Sequence, residues 1–172
     1  MKIELKNIKH SEFASEETFS YEANLYVEGK PFAQVSNDGK GGADHLYQDD
    51  RFKDLEAWKK CYALLKIHCA DKFRWNMDDC FKSQSNVYGW REGTIETACH
   101  ELMTDHLIRK DFKKELRKPC YIRDGGLSYF NVSAKTPNIF DKIRRQLKKP
   151  DLVFLNEMPE AEALTKYMEV AQ

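Results

Sequence analysis

The first forty residues alternate. Phe19, Tyr21, Ala23, Leu25 and Val27 fall on every second position, with Ser20, Glu22, Asn24, Tyr26 and Glu28 between them. A strand of that pattern rests one face on a core and turns the other to water. Ile3, Leu5 and Ile8 mark a shorter strand before it, and Pro31 to Val35 a third after it. Glu28-Gly29-Lys30 supplies the tight turn between the second and third, because Gly29 has no Cβ to clash at positive φ. Pro31 has no N–H to donate, which suits the start of a strand or an edge. The pattern predicts an antiparallel three-stranded meander. Ser36 to Ala43, with Gly39, Gly41 and Gly42 close together, then reads as a flexible connector.

Beyond residue 50 the apolar period becomes three and four. Phe52, Leu55, Trp58, Tyr62, Leu65 and Cys69 make one stripe and predict a helix over 50–70, with Lys53, Lys59, Lys60 and Lys66 off it. Asp49 and Asp50 are the candidate caps. Residues 71–93 mix Phe73, Trp75, Phe81, Tyr88 and Trp90 with polar residues and are broken by Gly89 and Gly93. A short helix near 76–83 and a loop are expected there. Residues 94–117 predict a second long helix with two apolar stripes. Ile95, Ala98, Leu102 and Met103 form one; Leu107, Ile108, Phe112 and Leu116 form the other. The stripes are offset, so a bend or break is expected near Thr104-Asp105, and Pro119 ends the helix.

Cys120 to Arg123 and Leu127 to Val132 flank Asp124-Gly125-Gly126 and predict a hairpin. Ile139, Ile143 and Leu147 predict a short helix over 138–148. Leu152 to Leu155 reads as a final strand or a packed loop. Pro159 opens a C-terminal helix to about Val170, since proline is tolerated in a first turn. The fold class is therefore α+β: an N-terminal antiparallel β-meander packed by several helices, with a second β-hairpin in the C-terminal half. One domain spans 1–172, divisible into two lobes, 1–48 and 49–172.

Composition supports a folded chain. Apolar residues make up 41% of it, and ten Phe, eight Tyr and three Trp are far from the aromatic-poor composition of disorder. No apolar run approaches the roughly 18 residues of a membrane span. Met1 to Lys6 alternates apolar and charged residues and lacks the apolar core of a signal peptide. Cys61, Cys69, Cys80, Cys99 and Cys120 are odd in number and contain no Cys-x-x-Cys. Reduced thiols in a cytoplasmic protein are the expectation.

Charge changes the picture more. The chain has 28 basic and 28 acidic residues, but residues 1–50 carry 5 basic and 10 acidic, and residues 101–150 carry 13 basic and 6 acidic. One basic run is Arg109, Lys110, Lys113, Lys114, Arg117 and Lys118; the other is Lys142, Arg144, Arg145, Lys148 and Lys149. A segregated field captures anionic partners even on a neutral molecule. On a helix Arg109, Lys113 and Arg117 share a face, and Lys142, Arg145 and Lys149 recur at three and four. Tyr121, Tyr129 and Phe130 lie between the runs, where exposed rings stack on bases. The plainer reading is a solvated helix face partly offset by Asp111, Glu115 and Asp141.

Catalytic signatures are weaker. His100-Glu101 suggests a zinc protease helix, but position 104 is Thr where the motif needs His. Glu96 and His100 share a face beside Cys99, and two ligands do not make a metal site. Cys61 and His68 are about 10 Å apart along a helix, too far for one ion; Cys61 and Cys69 read as small core residues. Asp49-Asp50 and Asp78-Asp79 read as caps and solvated turns. Gly39-Lys40-Gly41-Gly42 lacks the Ser or Thr of a P-loop. No catalytic residue, metal ligand or cofactor is assigned.

Met1 to Ser15, the Leu25–Gly42 hairpin and loop, and Leu102 to Lys110 resemble small uncharacterised proteins of bacteriophages and other mobile elements. The resemblance brings no motif of known mechanism. It implies an accessory protein, one that blocks a host defence complex. The expected function is accordingly non-enzymatic binding of a protein or ribonucleoprotein partner with an acidic surface. The contacts are Arg109, Lys110, Lys113, Lys114, Arg117, Lys118, Lys142, Arg145, Lys149, Tyr121 and Tyr129. Direct binding of DNA or RNA is the alternative, and an enzyme with dispersed His, Cys and acidic residues the third class.

Overall fold

The computed structural model describes residues 1–73, 75–76, 90–91 and 93–170. The helix expected near 76–83 falls, except for Asn76, outside the described residues, as do Asp78-Asp79 and Cys80. The protein is α+β. It forms two compact units, Met1–Thr104 and Asp105–Gln172. The division lies inside a helix, Ile95–Glu115.

In the first unit, β1 (Ile3–Ser11), β2 (Ser20–Val27), β3 (Lys30–Asp38) and β4 (His45–Gln48) form one antiparallel sheet in sequence order. The meander thus gains a fourth strand that the alternation did not show. Val27 pairs with Lys30 across a two-residue turn, and both turn residues have positive φ: Glu28 at 49° and Gly29 at 75°. That is the mirror-image turn whose twist matches antiparallel strands. Tyr21, Ala23 and Leu25 pair with Asn37, Val35 and Ala33, so these residues share the buried face.

α1 (Leu55–Lys72) packs its stripe under that face, where Leu65 and Cys69 are buried. Its cap is Asp54, whose side chain accepts from the Ala57 N–H at 3.0 Å, and not Asp49 or Asp50. Asp49 is buried in an ion pair with Arg51 at 2.7 Å. Trp58 stacks on Phe32 at 5.2 Å and donates its indole N–H to the Phe32 carbonyl at 2.9 Å. β5 (Trp75–Asn76) pairs with β6 (Trp90–Arg91).

α2 (Ile95–Glu115) passes from one unit into the other as a single helix. Its two offset stripes have two destinations. Ile95, Ala98, Leu102 and Met103 join the core of the first unit; Ile108, Phe112 and Leu116 join a separate cluster in the second. The offset expected to break the helix instead divides its loyalties.

The second unit is built on the hairpin of β7 (Cys120–Arg123) and β8 (Gly126–Tyr129), again turned by two positive-φ residues, Asp124 and Gly125. Its side chains alternate between two clusters. Cys120, Ile122 and Leu127 meet Phe112, Leu155, Leu164 and Tyr167. Tyr121 and Phe130 meet Ile139, Ile143 and Phe154. The C-terminal half of α2 and α4 (Glu160–Val170) therefore cover one face of the hairpin, and α3 (Ile139–Leu147) the other. Residues 152–154 are a loop that buries Phe154 and leads into a 3-10 turn, Leu155–Glu157. Asn156 ties the unit together: its Nδ2 donates to the carbonyls of Leu116 and Lys118, and its Oδ1 accepts from the Cys120 N–H at 2.8 Å. One amide thus satisfies free carbonyls at the end of α2 and starts β7.

Candidate functional site

The charge asymmetry follows the unit boundary. The first unit holds 14 basic and 18 acidic residues and the second 14 and 10, a net −4 against +4. Both basic runs reach the C-terminal ends of their helices, where exposed carbonyls favour positive side chains. Part of each run is explained by that alone.

The structure sorts the candidates. Lys110, Lys113, Lys114 and Arg117 are exposed at the end of α2. Lys142, Arg145, Lys148 and Lys149 are exposed on and just after α3. Among the described residues, the ion pairs involve none of these eight. Arg109 differs, pairing with Asp105 at 2.7 Å one turn earlier. Arg144 is structural: it donates to the Leu152 carbonyl at 2.9 Å, pairs with Glu157 and Asp141, and lies over the Phe154 ring. Those two carboxylates, Glu157 foremost, hold its guanidinium more firmly charged.

The aromatic candidates also separate. Tyr121 stacks on Phe130 at 5.7 Å and meets the edge of Phe154, so it belongs to the core cluster. Tyr129 is 55% exposed, with the Lys118 ammonium 4.8 Å over its ring. The two basic runs are attached to opposite faces of the hairpin, since α2 packs with the Phe112 cluster and α3 with the Phe154 cluster.

A second site was not expected from the sequence. In the first unit a cleft of about 350 Å³ is lined by residues including Phe19, Tyr21, Asn37, Asp44, Glu96 and His100. Asn37 is its hub and is only 8% exposed. Its Oδ1 accepts from the Thr18 hydroxyl at 2.9 Å and the Gly39 N–H at 2.8 Å. Its Nδ2 donates to the Gly42 carbonyl and to Asp44 Oδ1, each at 2.9 Å. All four hydrogen-bonding capacities of the amide are used. The glycine loop is accordingly anchored rather than a flexible connector. Gly39 has φ of 87°, its carbonyl accepts from Glu16, Glu17 and Thr18, and a Cβ there would lie 2.1 Å from the Ala14 carbonyl oxygen.

Tyr21 donates its hydroxyl to Asp44 Oδ2 at 2.6 Å. Burial first, then Cys99 and Asp44, push its pKa well above the ordinary range, so it remains a donor. Phe19 stacks on His100 at 4.9 Å with ring planes 21° apart. The first turn of α2 is closed by a reciprocal pair in which the Thr94 hydroxyl accepts from the Thr97 N–H at 3.1 Å and Thr97 returns the bond.

Glu96, Cys99 and His100 do share this end of α2, but Cys99 is fully buried. Burial and then the Asp44 charge raise its thiol far above the reactive range, which makes it inert as a nucleophile. Burial likewise pushes Cys69 and Cys120 to about 11. Among the described residues no three His, Cys, Asp or Glu side chains are placed to hold a metal ion, and no helix is long and apolar enough to cross a membrane.

Sequence reasoning missed Asn37 and Asp44. The available signal was phase: Ala33, Val35 and Asn37 continue one inward alternation, which puts an amide where the core pattern calls for an apolar residue. Compared with known proteins, the chain matches no family model, no curated protein and no solved structure.

Proposed function

We propose that this chain is a non-enzymatic binding protein whose second unit docks on an acidic surface of a protein or ribonucleoprotein. The role implied by its sequence resemblance is inhibition of a host defence complex in the bacterial cytoplasm. One observation carries the reading. Lys110, Lys113, Lys114 and Arg117 project from the end of α2 without ion-pair partners among the described residues, in a unit of net charge +4. Complementary charge accelerates encounter and selects partners more than it adds affinity, so capture should weaken as salt rises.

The test is a pull-down from a bacterial host lysate with wild-type bait beside Lys113→Glu/Arg117→Glu and Arg145→Glu baits. The proposal expects a salt-sensitive partner captured by wild type and lost with the α2 variant. Identical capture by all three baits would overturn it. Arg145 belongs to the run on the other face of the hairpin, so the separate variants show which run makes the contact.

Direct nucleic-acid binding is a second reading, favoured by the exposed Tyr129 ring beside Lys118. Base stacking on such a ring combines with counterion release by the nearby lysines. A gel shift with single-stranded DNA and RNA at two salt concentrations checks it; no shift at low salt removes it.

A further inference from the structure

The cleft at the start of α2 concentrates charge of the opposite sign. Each oxygen of Asp44 receives one hydrogen bond, from the Tyr21 hydroxyl and the Asn37 amide, and both donors are neutral. Each Asp44 oxygen therefore keeps a further lone pair to accept from a ligand. Glu96 contributes a second carboxylate to the same lining. Among the described residues, no Lys or Arg forms an ion pair with either carboxylate.

The wall beside these carboxylates is aromatic. Phe19 and His100 are stacked, and Tyr21 also contributes to the lining. Carboxylates joined to ring faces attract a cation twice, by Coulomb attraction and by the ring quadrupole. The cleft volume of about 350 Å³ falls at the small end of ligand sites. A metal ion does not suit these side chains, which hold no three-ligand set among the described residues. An anion would face two carboxylates that no Lys or Arg among the described residues pairs with. The Asn37 hub fixes Asp44 in place before any ligand arrives, so little ordering remains to be done on binding.

The geometry points to a binding site for an organic cation, a guanidinium or ammonium group on a short methylene stem, held between Asp44, Glu96 and the Phe19–His100 stack. A guanidinium is the better fit of the two: its planar fork matches a carboxylate and its face stacks on rings. The group can belong to a free small molecule or to an arginine side chain of a peptide.

The test is calorimetric titration of the full chain at low ionic strength with two probes, agmatine and the blocked tripeptide acetyl-Gly-Arg-Gly-amide. Saturable binding of at least one probe is expected. Tighter binding of agmatine marks a free ligand, and tighter binding of the tripeptide marks a peptide side chain. Glu96→Gln and Asp44→Asn should each weaken binding by about tenfold or more, the scale of one lost charge-assisted contact. Glu162→Gln, which removes the same charge from the second unit, should leave binding unchanged. Melting temperatures separate loss of the site from loss of the fold. Glu96 is exposed and outside the Asn37 network, so Glu96→Gln carries the test if Asp44→Asn fails to fold. Absence of saturable binding of both probes, or equal binding by wild type and Glu96→Gln, would overturn the proposal.

Discussion

Each unit of this protein is organised by one asparagine, and the two are used in opposite ways. In the first unit Asn37 ties a glycine loop to a strand end, and its fourth hydrogen bond goes outward to Asp44 at the rim of a cleft. In the second unit Asn156 spends its bonds on the backbone alone, closing α2 and starting β7. The first hub thus presents chemistry, and the second only builds. The charges follow suit. The acidic unit gathers two carboxylates into one cleft, whereas the basic unit spreads its lysines and arginines over two helix ends. Concave charge suits a small ligand and spread charge a macromolecular surface.

The most damaging change should be in the helix the two units share. Thr104→Pro removes an N–H and adds a ring in mid-helix, at the point where the apolar stripes switch clusters. It should cost about 3 kcal/mol or more and split the calorimetric unfolding profile into two transitions. A variant melting within a degree of wild type would show that α2 is not continuous there.

The two hubs come next. Asn37→Ala strands several buried polar groups at once and should cost about 3 kcal/mol in urea denaturation. Asn156 is less buried and makes three bonds, so Asn156→Ala should cost about 2 kcal/mol. A larger loss at Asn156 would reverse the comparison.

Acid should reach the first unit through Asp49. Hydrogen bonds from Arg51 hold its carboxyl below the ordinary range. A depressed folded pKa means stability that is fully present above the unfolded value, about 4, and lost as pH falls through the folded one. Asp49→Asn should therefore flatten the acid limb of the stability curve below pH about 4. An unchanged limb would assign acid sensitivity elsewhere.

Smallest in stability is the charge reversal Lys113→Glu/Arg117→Glu, expected to stay within about 0.5 kcal/mol of wild type by thermal melting. Its effect belongs in partner capture, and a large stability loss would show that these charges serve the fold instead.

The hairpins were legible because their chemistry is local. Glu28-Gly29 and Asp124-Gly125 announce tight turns, and alternation on either side sets the pairing. The helices were legible for the same reason: three- and four-residue recurrence is a property of neighbouring positions. Even the division of α2 was present as two offset stripes, although offset alone does not distinguish a broken helix from one that serves two cores.

The rest depended on partners far away in the chain. β4 is four residues long, too short for its alternation to stand out, and exists because β3 offers an edge. Tyr121 and Tyr129 look alike along the chain, but strand alternation sends one into the Phe154 cluster and leaves the other beside Lys118. Arg144 looks like Arg145, and only the first meets Glu157, thirteen residues on. Asn37 meets Thr18 across nineteen residues, and Asn156 meets Leu116 across forty. Local pattern specifies which face of an element is apolar, since that follows from side-chain direction alone. Which polar groups meet is set by how the elements pack, because hydrogen bonds and ion pairs need specific atoms within about 3 Å and no periodicity records that distance.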